Sequence, residues 1–400
     1  MASIPAPGVR TPGARPAWGA VYAMALCVAV LIASEFMPVS LLSPIAHDLQ
    51  LTDGQAGQAI AISGIFAVVI SLFITVLAGK IDRRIILIGL TALLIVSGTI
   101  VAFAPNFLVL MTGRALLGIA IGGFWSMSAS TVMRLVPAES VPRGLAIING
   151  GNAIATTVAA PLGSFMGGLI GWRGAFFCVV PLALAAVIWQ AATLPRLPAE
   201  QGGKSGSMLR LLKDRHVITG LVAVMLLFMG QFALFTYLRP FLEQVTGVNV
   251  STLSVLLLVV GVTGFIGTTL IGRFLDKRLH LALAAIPAIM ACIAIALGLL
   301  GKSVWMTGAL LAIWGLVGTA APVAWWTWLT RTAPNDAEAG GGLMVAIIQL
   351  AITAGATLGG FVFDAGGPVA DFLSSAAILA LAVLVALIGS GTQPRKASAF

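Results

Sequence analysis

Charge is what this sequence has least of. Charged residues make up 9% of the 400, against 59% hydrophobic. A soluble protein of that length needs far more charge to cover its surface, so a polytopic membrane protein is the expected class. Histidine and cysteine are as sparse, at three each. Cys27, Cys178 and Cys292 fall within long apolar runs, where they read as small buried hydrophobes rather than a disulfide or metal set. His47, His216 and His280 are dispersed, so no catalytic or metal cluster is suggested and no enzyme is expected. A phosphate-binding loop is lacking too. Gly301-Lys302-Ser303 ends like one, but Ala296 stands where the first glycine belongs.

What is abundant is apolar sequence in runs long enough to cross roughly 30 Å of hydrocarbon as helices. Twelve spans are predicted, at 18–43, 54–78, 84–104, 107–133, 143–170, 174–194, 217–240, 251–271, 279–300, 304–330, 340–363 and 368–390. With both ends on one side of the membrane, only Arg173, Arg239 and Lys302 fall on the far side. Arg114 lies inside the fourth span, which leaves 18 of the 22 Lys and Arg on the near side. That asymmetry places both termini in the cytoplasm and accounts for the net charge of +9 without a nucleic-acid partner.

One long polar break, 195–216, divides the chain into six spans and six. The expected organisation is therefore a tail (1–17), a six-helix bundle (18–194), a linker (195–216), a second bundle (217–390) and a tail (391–400). The halves echo each other. Asp82-Arg83-Arg84 after the second span recurs 194 residues later as Asp276-Lys277-Arg278 after the eighth. Arg134-Leu-Val-Pro137 recurs 197 residues later as Arg331-Thr-Ala-Pro334, and Asn152 and Gln349 are also 197 apart. The fold class is all-α integral membrane, twelve transmembrane helices in two pseudo-symmetric six-helix bundles, an arrangement of transporters.

Two full charges stand well inside the spans. Glu35 lies eight residues from the end of the first span near Ser43, roughly 12 Å in at 1.5 Å per residue. Arg114 lies seven residues from the start of the fourth, which runs the opposite way, at nearly the same depth. A lone charge at the bilayer centre costs roughly 2.5–3.5 kcal/mol on insertion scales, and the two can meet only if the first and fourth helices are neighbours. The plainer reading is an ion pair that fixes helix packing. The functional reading makes Glu35 a proton carrier, with desolvation favouring the acid and a nearby guanidinium the carboxylate. Pro38, one turn on, frees backbone carbonyls of its helix.

The motifs resemble those of the major facilitator superfamily. After the second span that family carries G-x-x-x-D-[RK]-x-G-x-[RK]; Asp82 and Arg83 match it, with Ala78 and Ile85 at the two glycines. The second copy keeps Gly272, Asp276 and Lys277. The fourth-span arginine motif stands as Arg114-Ala-Leu-Leu-Gly118-Ile-Ala-Ile-Gly122, and the fifth-span motif G-P-x-x-G-G as Ala160-Pro161-Leu162-Gly163-Ser164. The segments SEFMPVSLLSPIAHDL, GGFWSMSASTVMRLVP, APLGSFMGGLIGWRGAF and GQFALFTYLRPF are similar to the drug and sugar efflux branch, nearest to its purine nucleoside exporters.

The resemblance implies a secondary antiporter of a bacterial inner membrane, a monomer with no cofactor beyond the proton. Its cargo would be purine ribonucleosides such as inosine and guanosine; a multispecific drug or sugar exporter is the alternative. Glu35 and Arg114 are the expected proton-coupling residues, and the resemblance implies that Asp82, Arg83, Asp276 and Lys277 latch the halves; topology marking by Lys and Arg is the plainer reading there. On the helices that line the cavity in this family, a purine would need aromatic faces and amides. The candidates are Phe124, Trp125, Asn149, Asn152, Gln231, Phe235, Tyr237, Trp325 and Gln349. Each has a plainer role in packing, at the membrane interface or in bonding its own helix.

Overall fold

The computed structural model describes residues 16–198, 211, 213–333 and 337–391, together with the backbone but not the side chains of a few positions inside helices, Asp276 and Lys277 among them. The tails 1–17 and 391–400, much of the linker 195–216, and Pro334 lie largely or wholly outside these residues. The chain divides into two compact units, Met1–Lys204 and Ser205–Phe400.

The first unit consists of α1 (Trp18–Leu49), α2 (Asp53–Ala78), α3 (Arg83–Ala102), α4 (Phe107–Leu135), α5 (Val141–Phe177) and α6 (Val179–Thr193). Capping side chains set several starts: Asp82 accepts from the Arg84 amide and Asn106 from the Val109 amide. The second unit consists of α7 (Arg215–Thr236), α8 (Val250–Leu300), α9 (Val304–Gly318), α10 (Ala321–Thr332) and α11 (Ala337–Gly391). Among the described residues there is no strand.

Ten stretches are long and apolar enough to cross a membrane. Two of them, Ala138–Thr193 and Gly340–Gly389, have 56 and 50 residues. At 1.5 Å per residue each would reach about 75–84 Å, more than twice the hydrocarbon thickness, so each must turn back. The turn is visible in the backbone. Gly171 has φ 76° and ψ 164°, and Gly367 has φ 77° and ψ −177°. A side chain is excluded from that region, which glycine alone enters freely. The two turns are 196 residues apart and extend the sequence echo into backbone geometry. With them, the ten stretches account for twelve crossings.

The tenth span, predicted over 304–330, is found as Val304–Thr332 and carries a break, with α9 ending at Gly318 and α10 beginning at Ala321. Pro322 supplies the reason, since it has no N–H for the Gly318 carbonyl and its ring crowds that turn.

Within the first unit α1 packs on α5 and α6, α2 on α4, and α3 on α4 and α6. Close approach is licensed by glycine: a Cβ on Gly118 would overlap the Ser63 carbonyl, and one on Gly122 the Ala67 carbonyl. At one end of this unit Asp48 of α1 pairs with Arg173 beyond the Gly171 turn and accepts from the Trp172 indole at 3.2 Å. Arg173 also donates to Ala104 O at 2.8 Å and lies 4.3 Å from the Trp172 ring centroid. The α3–α4 loop, the end of α1 and the α5 turn are thus tied together. Within the second unit α7 packs on α11 and α8 on α9. A Cβ on Gly315 would overlap the Val260 carbonyl there.

Candidate functional site

The first-unit site begins with a helix defect. Pro38 lies inside α1, so the Ser34 carbonyl four residues earlier has no N–H to accept from. Arg114 of α4 fills the gap: its Nη1 donates to Ser34 O at 2.6 Å. Its Nη2 donates to Glu35 O and Ser63 Oγ, both at 3.2 Å, and its Nε to Ala59 O at 2.7 Å. The guanidinium therefore staples α1, α2 and α4 through three carbonyls and a hydroxyl. Ser63 can accept because its own proton goes to Ile60 O at 2.8 Å. The close approach of α2 and α4 at Gly118 brings Ser63 within reach.

Arg114 is 1% exposed and Glu35 4%. The sequence places these two residues at equal depth, and the structure brings the Arg114 guanidinium onto the Glu35 carbonyl. The Nε, Nη1 and Nη2 of Arg114 each donate to at least one of these backbone or hydroxyl oxygens. A buried cation so solvated tolerates a change of charge at its neighbour better than one whose donors depend on that neighbour.

Tyr237 is fully enclosed, its hydroxyl donating to Ala356 O at 2.7 Å and its ring stacked on Phe363 at 5.2 Å. Phe124 is likewise without exposed surface. In this conformation neither presents a face to a ligand. Trp125 and Asn152 are half-buried, and Asn149 is exposed with its amide donating to Leu145 O at 2.9 Å. Gln231 is half-buried, and its Oε1 has no hydrogen-bond partner among the described residues. Phe235, also half-buried, stands edge-on to Phe232 at 6.1 Å. Trp325 is buried against Trp328 at 5.5 Å, its indole N–H without a hydrogen-bond partner among the described residues, and Gln349 is buried.

Asp82 caps α3 and its Oδ1 also accepts from the Leu197 amide at 2.9 Å, while the Arg83 amide donates to Leu197 O at 2.9 Å. These bonds tie the start of α3 to the segment after α6, inside one unit. A cavity of about 280 Å³ opens beside them, lined by Asp82, Arg84, Ile85, Ile88 and Arg196. The latch partners assigned to Asp276 and Lys277 lie outside the described side chains.

A buried acid escaped the sequence reading. Asp371 of α11 is 0% exposed. It stands three residues inside the predicted last span, where it passes for a flanking residue. The signal that finds it is Gly367-Pro368 just before it, which marks where the helix restarts.

Comparison with known proteins gives this geometry its setting. The profile of the Major Facilitator Superfamily matches residues 24–344. The chain belongs to the major facilitator superfamily. It is a membrane transporter and not an enzyme. It is 56% identical over 375 residues to a Pseudomonas aeruginosa protein named transcription regulatory protein OpdE, covering 93% of each chain. It is 44% identical over 372 residues to the purine ribonucleoside efflux pump NepI of Salmonella typhimurium, covering 93% of this chain and 94% of that one. Among solved structures, a bacterial homologue of the human lysosomal transporter Spinster aligns with TM-score 0.79 at 16% identity, covering 95% of this chain and 98% of that one. The human organic anion transporter MFSD10 aligns with TM-score 0.67 at 17% identity, covering 93% and 100%. At such identities these two speak for the fold alone.

Proposed function

We propose that this protein is a proton-coupled antiporter that exports purine ribonucleosides, inosine and guanosine among them, from a bacterial cytoplasm by alternating access. The observation that carries the cargo is the 44% identity to the purine ribonucleoside efflux pump over nearly the whole chain. Proton coupling is supported by the buried Glu35 beside an Arg114 that backbone carbonyls already solvate. In this reading Glu35 takes up a proton when it faces one side and releases it when it faces the other; Arg114 holds α1 to α4 and favours the ionised form. Asn152, Gln231 and Gln349 are the groups proposed to meet the base edges and ribose. Asp82, Arg83, Asp276 and Lys277 form the proposed latch, and both termini are cytoplasmic in the inner membrane.

The driving force suffices. A proton moving down about 100 mV supplies about 2.3 kcal/mol, and one pH unit adds about 1.4 kcal/mol, enough for several hundred-fold accumulation per proton. A second reading, transcriptional regulation from the membrane, has the 56% relative's name in its favour. Purified protein in proteoliposomes decides between them. Inosine or guanosine should move uphill when a pH gradient is imposed and stop when a protonophore removes it. Transport of drugs or sugars with neither nucleoside moving would favour multispecific export, and no transport at all would favour the regulatory reading.

A further inference from the structure

The second unit holds a buried acid that coupling at Glu35 does not use. Asp371 follows Gly367 by four residues, on the second arm of α11. Its side chain has no exposed surface, and neither carboxyl oxygen has a hydrogen-bond partner among the described residues.

The packing explains the seclusion. Asp371, Ser375 and Leu379, spaced four apart, lie along one face of that arm. Ser375 Oγ donates to Gly230 O of α7 at 2.6 Å, and a Cβ on Gly230 would stand 2.8 Å from the Leu379 side chain. On the first arm of α11, a Cβ on Gly359 would stand 2.9 Å from Asp371 Oδ1, 3.0 Å from the Tyr237 ring and 3.1 Å from Ala233 Cα. The carboxyl occupies the place where α7 and the two arms of α11 meet, in space that a missing side chain leaves. Ionisable groups on the adjoining stretches have partners of their own or are exposed. Tyr237 bonds Ala356 O, Arg239 donates to Glu243 at 2.8 Å, and Asp364 on the first arm is exposed.

An ionised carboxylate enclosed without a partner costs several kcal/mol, so the packed junction holds the neutral acid. We propose that Asp371 is a proton-binding site of the C-terminal unit, protonated in the packing described here and deprotonated when the arms of α11 part at Gly366-Gly367 and water enters. On release the O–H bond breaks, its electron pair stays on the carboxylate and the proton passes to water. The use of this proton in transport rests on the antiport reading; the binding of it does not.

Infrared spectroscopy of the protein in lipid nanodiscs at neutral pH tests the binding. Wild type and Glu35→Gln should share a protonated-carboxyl band that Asp371→Asn lacks. In the wild type, aspartate labelled with ¹³C at the carboxyl should shift the same band, which decides the matter even if Asp371→Asn does not fold. No such band, or one that ¹³C-aspartate leaves in place, overturns the proposal. In proteoliposomes Asp371→Asn should move fewer protons per inosine than wild type, and an unchanged ratio overturns a part in transport. No proton movement in the wild type would overturn the antiport reading and this use together, while the infrared band still decides whether Asp371 binds a proton.

Discussion

The two units share a backbone contact and differ in what surrounds it. In the first, Gly118 of α4 meets the Ser63 carbonyl of α2; in the second, 197 residues on, Gly315 of α9 meets the Val260 carbonyl of α8. Around the first contact stand Ala59, Ser63 and Arg114, around the second Leu256, Val260 and Leu311. One unit thus places a hydrogen-bonded guanidinium where the other has an apolar core, with Leu311 fully buried. The repeat preserves helix spacing, which glycine sets, and leaves polar chemistry free to diverge. In the second unit a buried acid stands elsewhere, on α11, as Asp371.

Removing the guanidinium should have the largest effect on stability. Arg114→Leu copies the second unit's residue into the first and leaves Ser34 O, Ala59 O and a buried Glu35 without their cation. A loss of about 3–5 kcal/mol is expected, read as a fall in thermal midpoint in detergent. The loss should shrink as pH falls and Glu35 takes up a proton. The reverse exchange, Leu311→Arg, buries a cation among Leu256 and Val260, where no matching carbonyl is freed by proline. It should cost about 2.5–3.5 kcal/mol on insertion scales, read as reduced membrane yield. Equal tolerance of both substitutions would break the comparison.

Gly118→Ala and Gly315→Ala probe the shared contact. Each methyl meets a backbone carbonyl, so each should lower stability by about 1–3 kcal/mol, and by similar amounts in the two units. Pro38→Ala should have the smallest effect. α1 regains a hydrogen bond to Ser34 O while Arg114 loses an acceptor, so the net change should stay within about 1 kcal/mol. Combined with Arg114→Leu it should recover part of that variant's loss, a coupling that a double-mutant cycle measures.

Much of the architecture is legible in hydropathy alone, because a bilayer forces each crossing into one long apolar helix. The equal depths of Glu35 and Arg114 follow from counting residues along antiparallel spans. Pro38 announces a freed carbonyl, but nothing in the sequence says that Arg114 takes it, since backbone acceptors carry no residue signature. The burial of Tyr237 was hidden for a related reason: an aromatic near a helix end reads alike whether it lines a cavity or stacks on Phe363. Asp371 was obscured by its position at a span edge, where a carboxylate ordinarily reaches water. The Gly359 gap that encloses it depends on a neighbour 12 residues earlier in the chain, across the turn at Gly367.

The measurement closest to the central claim compares wild type with Glu35→Gln in proteoliposomes, in two modes. With inosine on both sides and no gradient, the variant should exchange labelled nucleoside at a rate near that of wild type. Under an imposed pH gradient it should fail to accumulate inosine, while wild type does. Uphill accumulation by Glu35→Gln equal to wild type would contradict the assignment of proton coupling to this residue.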